Sequence, residues 1–154
     1  MTPRRGKVPI ESLRVSAYTI PTETPEADGT YGWDSTTIVV AEVTAGGKEG
    51  LGYTYADSAT AKLIEDKLKE IVVGCDAMSV QATWLAMLRS IRNLGRPGIC
   101  AMAISAVNTA LWDLKARLLD LPLVILLGEV RDALPIYGSG GFTNYSKEEL
   151  QDQL

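Results

Sequence analysis

The first regular pattern along the chain alternates. In LRVSAYTIP, Leu13, Val15 and Ala17 recur at every second position, the period of a strand with one buried face. Pro21 has no N–H to give to a ladder, so the strand is expected to stop there. TETPEADGTYGWD follows, rich in Pro, Gly and acids, and residues 22–34 read as a loop. A connection of that length in a compact domain marks a functional or disordered segment. STTIVVAEVT is β-branched and apolar, AGGKEG holds glycines able to take positive φ, and residues 51–55 return, which predicts a hairpin. Three strands in this order predict an antiparallel sheet with one face to be covered.

The apolar period then lengthens to that of helices. ATAKLIEDKLKEIVV carries Leu63, Ile64, Leu68, Ile71 and Val72 on one side and Lys62, Glu65, Asp66, Lys69 and Glu70 on the other. Asp57 or Ser58 can cap it, and Gly74 stands where a C′ glycine belongs. Ser79 opens VQATWLAMLRSIRN, in which Val80, Trp84, Met87, Leu88 and Ile91 recur every three or four residues and Gly95 closes the run. After Pro97, GICAMAISAVNTALWDLKARLLD is apolar almost all round until Asp113. Such a helix belongs in the centre of a bundle or against a sheet, with Ala101, Ala103, Ala106 and Ala110 permitting close backbone approach. LPLVILLG adds a short turn ending at Gly128.

The pattern therefore predicts an α+β fold: a three-stranded antiparallel sheet followed by a helical bundle. Residues 1–12 read as a flexible N-terminus and residues 13–130 as the α+β unit. Residues 134–154 hold a strand at LPIY, a glycine cluster and the start of a helix, the first β–α unit of something further. Ser146 and Glu149 form a capping box for that helix. A lone strand cannot satisfy its own backbone, so this segment is expected to need a partner.

Composition narrows the function classes. The net charge is −4, and only MTPRRGK is locally basic, which argues against a nucleic-acid surface. There is no histidine, and Cys75 and Cys100 have no zinc-ligand spacing. Their apolar surroundings favour free thiols and a cytoplasmic location. The most apolar run is broken by Asn108 and Asp113, so no membrane span is expected. No signal-peptide pattern opens the chain.

The run SAVNTALWDLKARLLDLPLVILLG (residues 105–128), preceded by IRNLGRPGICAMAI and followed by RDALPIYGSGGF, resembles the mandelate racemase/muconate-lactonizing branch of the enolase superfamily. The likeness covers nearly all of the chain after residue 12. It implies an N-terminal capping domain followed by the first strand of a (β/α)₈ barrel. Members abstract a proton α to a carboxylate and stabilise the enediolate on Mg²⁺, using bases and metal-binding acids of later barrel strands. The resemblance thus implies Mg²⁺ for a full-length relative, none held by this chain, and no catalytic residue here. One departure is Asn108, where the family usually shows aspartate.

By the same likeness, residues 22–34 and the segment Tyr53–Ala56 match the two capping stretches that cover the barrel mouth. Tyr31, Trp33, Tyr53 and Tyr55 are the substrate-contact candidates, against the plainer reading that aromatic residues beside a sheet pack. Gly138, Gly140 and Gly141 read as a tight passage at a strand end, with Ser139 a further contact candidate. GSGG lacks the lysine of a P-loop. Arg89, Arg92 and Arg96 read as a solvated face or interdomain ion pairs. The implied partners are a C-terminal barrel domain and a small carboxylate or acid sugar. The role expected is the substrate-capping half of an acid-sugar dehydratase or racemase, without turnover by itself. The alternative is a non-catalytic module self-associating through an exposed strand edge into a homo-oligomer.

Overall fold

The computed structural model describes residues 6–138 and 141–153. The chain divides into two compact units. The first comprises the stretch up to Tyr18 together with Thr37–Gly128, and the second comprises Thr19–Thr36 together with the chain from Glu129 onward.

Three strands, β1 (Ser12–Ala27), β2 (Gly32–Ala45) and β3 (Lys48–Tyr55), form one antiparallel sheet in the order β1-β2-β3. Both β1 and β2 contribute residues to each unit. The β2–β3 turn is built as its sequence predicts: Gly46 and Gly47 take φ of 55° and 71° between the pair Ala45 and Lys48. The long loop expected over residues 22–34 does not exist as such. β1 runs through Pro21 and Pro25 to Ala27, and only residues 28–31 turn. A proline is tolerated because β1 is an edge strand, with no further strand on one side of it among the described residues.

In the first unit the buried face of β2 is Val39, Ala41, Val43 and Ala45, each 0% exposed. The helices over it are α1 (Ala59–Leu63), a π-helical segment Ile64–Leu68, α2 (Lys69–Val72), α3 (Val80–Ser90) and α4 (Ile99–Leu118), followed by the short α5 (Leu123–Leu127). The π segment has a sequence cause. Thr60, Ile64, Leu68 and Val72 are all fully buried and repeat every four residues. On a 3.6-residue helix that repeat drifts about 40° per step, so three steps would carry Val72 off the core. Widening the helix by one π turn restores the line.

α4 sits on β3 at the distance the small residues allow. A Cβ built on Gly50 would lie 2.3 Å from the Ala110 carbonyl oxygen, and one on Gly52 would lie 2.0 Å from that of Ala106. The two glycines and the alanine ridge of α4 are therefore complementary halves of one contact. Ile104, Val107, Leu111 and Leu114 complete the helix face. Val8 and Ile10, inside the N-terminal stretch expected to be flexible, are stitched to residues 74–77. Ile10 N–H donates to Cys75 O at 2.8 Å, Gly74 N–H to Ile10 O at 2.9 Å and Ala77 N–H to Val8 O at 2.9 Å. Ile10 is part of the core. Cys75 and Cys100 are free thiols.

In the second unit, the capping box forms as predicted and starts α6 (Lys147–Gln153). Ser146 N–H donates to Glu149 Oε2 at 2.7 Å, and Glu149 N–H donates to Ser146 Oγ at 3.1 Å. The strand expected at LPIY is a correction: residues 134–137 form none, and Leu134, Ile136 and Tyr137 are exposed. No described strand lies alongside to take their hydrogen bonds. No helix among the described residues is long and apolar enough to cross a membrane.

Candidate functional site

The contact candidates fall into two groups, one in each unit. Tyr53 and Tyr55 pair with Val40 and Ile38 across the β2–β3 ladder, and they project from the sheet face opposite Gly52 and α4. The period of two forces this: Gly50 and Gly52 are buried, so Leu51, Tyr53 and Tyr55 are outward. Tyr53 is 61% exposed and Tyr55 71%, so neither ring is packed within this chain.

Tyr31 and Trp33 belong to the second unit, at the end of the β1–β2 hairpin. Their rings stack with centroids 6.4 Å apart and planes 16° from parallel. Trp33 is half-buried because it is held from two sides. Its indole N–H donates to Glu26 Oε2 at 2.7 Å, and Phe142 meets its ring edge-on at 5.5 Å. Tyr145 in turn meets Phe142 edge-on at 5.4 Å. Tyr31, by contrast, is 72% exposed and free to offer a ring face.

The turn under these rings is held by Asp28. Its Oδ1 accepts Thr30 N–H at 2.7 Å, the Thr30 hydroxyl at 2.8 Å and Tyr31 N–H at 2.8 Å. The Thr30 amide and hydroxyl, with the Tyr31 amide, favour the carboxylate and lower its pKa. Beside the turn lies an open depression of about 600 Å³, lined by Glu26, Tyr31, Trp33, Asp34, Ser35 and Asn144 among others. An aromatic stack bordered by hydrogen-bonding side chains can take a polyhydroxylated molecule, with C–H faces on the rings and hydroxyls on the polar rim.

Ser139 lies outside the described residues. Sequence reasoning missed Glu26, Phe142, Thr143 and Asn144. The signal available for the last three was FTNY, two aromatics flanking two short polar residues directly after the glycine cluster. Arg89 and Arg92 line a separate depression of about 720 Å³ in the first unit, with Leu88, Ser90 and Asn93. Neither arginine has a carboxylate partner among the described residues, and Arg92 Nε reaches only Asn93 Oδ1 at 3.4 Å. Magnesium asks for a convergent oxygen donor set. Among the described residues no three His, Cys, Asp or Glu side chains converge on one point.

Residues 14–128 match the mandelate racemase/muconate lactonizing enzyme N-terminal domain. The chain belongs to that family. It is 36% identical over 137 residues to the 3,6-anhydro-alpha-L-galactonate cycloisomerase of Streptomyces coelicolor, covering 85% of this chain and 38% of the relative. It is similar in structure to a mandelate racemase/muconate lactonizing enzyme-like protein from Rubrobacter xylanophilus, with TM-score 0.91 and 54% identity over 94% of this chain and 40% of that one. The L-talarate/galactarate dehydratase of Salmonella typhimurium LT2, solved with Mg and L-lyxarohydroxamate, matches with TM-score 0.83 and 30% identity over 99% of this chain and 42% of that one. The chain thus spans about two fifths of the length of these relatives.

Proposed function

We propose that this family member is the substrate-capping part of a Mg²⁺-dependent enzyme that abstracts a proton α to the carboxylate of an acid sugar, as a dehydratase or racemase. The observation that carries the reading is the Tyr31–Trp33 stack beside an open polar depression. The match to the capping domain of acid-sugar dehydratases and cycloisomerases supports it. In this reading Tyr31, Trp33, Tyr53 and Tyr55 contact substrate and exclude water, while the metal and the base come from a C-terminal barrel partner. The two free thiols suit a cytoplasmic compartment.

The reading is tested by placing this chain ahead of the barrel of the Salmonella dehydratase, in place of the region it matches. Supplied with Mg²⁺ and a panel of acid sugars in D₂O, the chimera is expected to exchange the α-proton with a substrate preference differing from the parent's. A folded, Mg²⁺-binding chimera whose preference and KM equal the parent's would overturn it. The chain alone is expected to show neither turnover nor a calorimetric Mg²⁺ isotherm. A second reading, a self-associating module, is favoured by the exposure of Val130, Leu134, Ile136 and Tyr137. A concentration-dependent, closed oligomer in sedimentation together with an inert chimera would select it.

A further inference from the structure

The end of the β1–β2 hairpin is fastened by two residues that neither pattern nor likeness singles out. Thr143 N–H donates to Ala27 O at 3.0 Å. The Thr143 hydroxyl lies 2.9 Å from the same oxygen and 3.1 Å from Asp28 O. Asn144 then uses both ends of its side-chain amide: Oδ1 accepts Ala27 N–H at 3.0 Å, while Nδ2 donates to Pro25 O. One side chain thereby occupies the place of a neighbouring strand residue, pairing in both directions with the outer edge of β1. On either side of this polar pair, Phe142 meets Trp33 and Tyr145 meets Phe142. Asn144 also lines the depression beside Tyr31 and Trp33.

We propose that Thr143 and Asn144 are specificity-determining positioning residues, which hold residues 25–28 so that Tyr31 and Trp33 present a preformed stacking wall to a polyhydroxy carboxylate. The inference rests on the capping reading above. Each exposed hydrogen bond contributes little alone. Together they span four consecutive residues at the end of a hairpin that no apolar core holds: in Thr19–Thr36 no described residue is fully buried. Without the fastening the hairpin end samples conformations in which the wall is absent. Apparent affinity then falls in proportion to the competent fraction. The chemistry at the α-carbon, carried elsewhere, is untouched, so the effect belongs in KM and not in kcat.

Amide exchange on this chain tests the fastening, and kinetics of the chimera test its role. Asn144→Ala is expected to speed exchange of the Ala27 amide about tenfold or more. Asn144→Asp keeps that acceptor and is expected to lie close to wild type at Ala27. Thr143→Ser retains the hydroxyl and is expected to behave as wild type, whereas the isosteric Thr143→Val loosens the hairpin. In the chimera, Asn144→Ala and Thr143→Val are expected to raise KM about tenfold with kcat within about twofold, rescued in Thr143→Ser. Unchanged Ala27 exchange in Asn144→Ala overturns the proposal, as does a fall in kcat at constant KM. An inactive but folded wild-type chimera overturns the capping reading and the recognition role with it. The exchange data then report separately on whether the fastening exists.

Discussion

The carboxylate of Asp113 on α4 accepts the backbone N–H of Leu51 on β3 at 2.8 Å. β3 is an edge strand, and Leu51 is paired with Glu42 on one side only, so its N–H points away from the sheet. A side chain from the covering helix meets it there. Arg117 Nε donates to the same Asp113 oxygen at 2.9 Å, one helical turn on. The same helix that fills the core face of β3 therefore also closes part of its edge.

Asp113→Ala is expected to lower the unfolding free energy by about 1–2 kcal/mol, because it strands a backbone donor and a guanidinium together. Asp113→Asn retains an acceptor and should lose less. Arg117→Ala, removing an exposed ion pair, should cost under about 0.5 kcal/mol. Urea denaturation of the three variants gives the order. Equal losses for Asp113→Ala and Arg117→Ala would remove the edge contact from the account.

Gly50→Ala and Gly52→Ala are expected to destabilise by about 3 kcal/mol or more, because the new methyl would meet helix backbone, which cannot rotate away. Gly29→Ala, with nothing within 4 Å of the added Cβ, should stay within about 0.5 kcal/mol of wild type. Chemical denaturation measures all three.

Thr60 is 0% exposed and its hydroxyl has no hydrogen-bond partner among the described residues. Valine has nearly the same shape and no unsatisfied oxygen. Thr60→Val is therefore expected to raise stability by about 1 kcal/mol. A loss of stability would show that the hydroxyl is satisfied in solution.

The Asp28 turn should loosen in acid. Its folded pKa is lowered by hydrogen bonds from the Thr30 amide and hydroxyl and from the Tyr31 amide. The contribution of the carboxylate is thus complete above the ordinary aspartate pKa and is lost as pH falls through the lowered folded value. Thr30 and Tyr31 amide resonances should titrate with a midpoint below that of a free aspartate, and Asp28→Asn should abolish the titration. Glu149, lowered by the Ser146 amide and hydroxyl, should release the first turn of α6 in the same direction.

How much of this was legible depends on whether a residue reports on its own neighbourhood. Val39, Ala41 and Val43 alternate because one sheet face is buried, so β2 could be read directly. The extension of β1 beyond Pro21 could not. TIPTETPEA lies where no fully buried face imposes a period of two, and its two prolines read as breaks. Of the glycines of GLG, Gly50 reads as part of the turn and Gly52 as an ordinary position of the returning strand. Their actual cause, the carbonyls of Ala106 and Ala110, lies more than fifty residues away in the chain. Tyr31 and Trp33 were visible as aromatics in an unusual place, whereas Asn144 and Thr143 acquire meaning only once residues 25–28 are beside them.

The amino-acid order alone determined the three strands and the long helices, the glycine turn at Gly46 and Gly47 and the Ser146–Glu149 cap. Each of these is written in spacing or in contacts three or four residues apart. Only the folded chain decided that α4 closes on Gly50 and Gly52, that Asp113 takes the free N–H of an edge strand, and that Asn144 stands in for a missing neighbour of β1. Those relationships join segments remote in sequence. The free energy of a close approach or an orphaned donor exists only after the backbones have met.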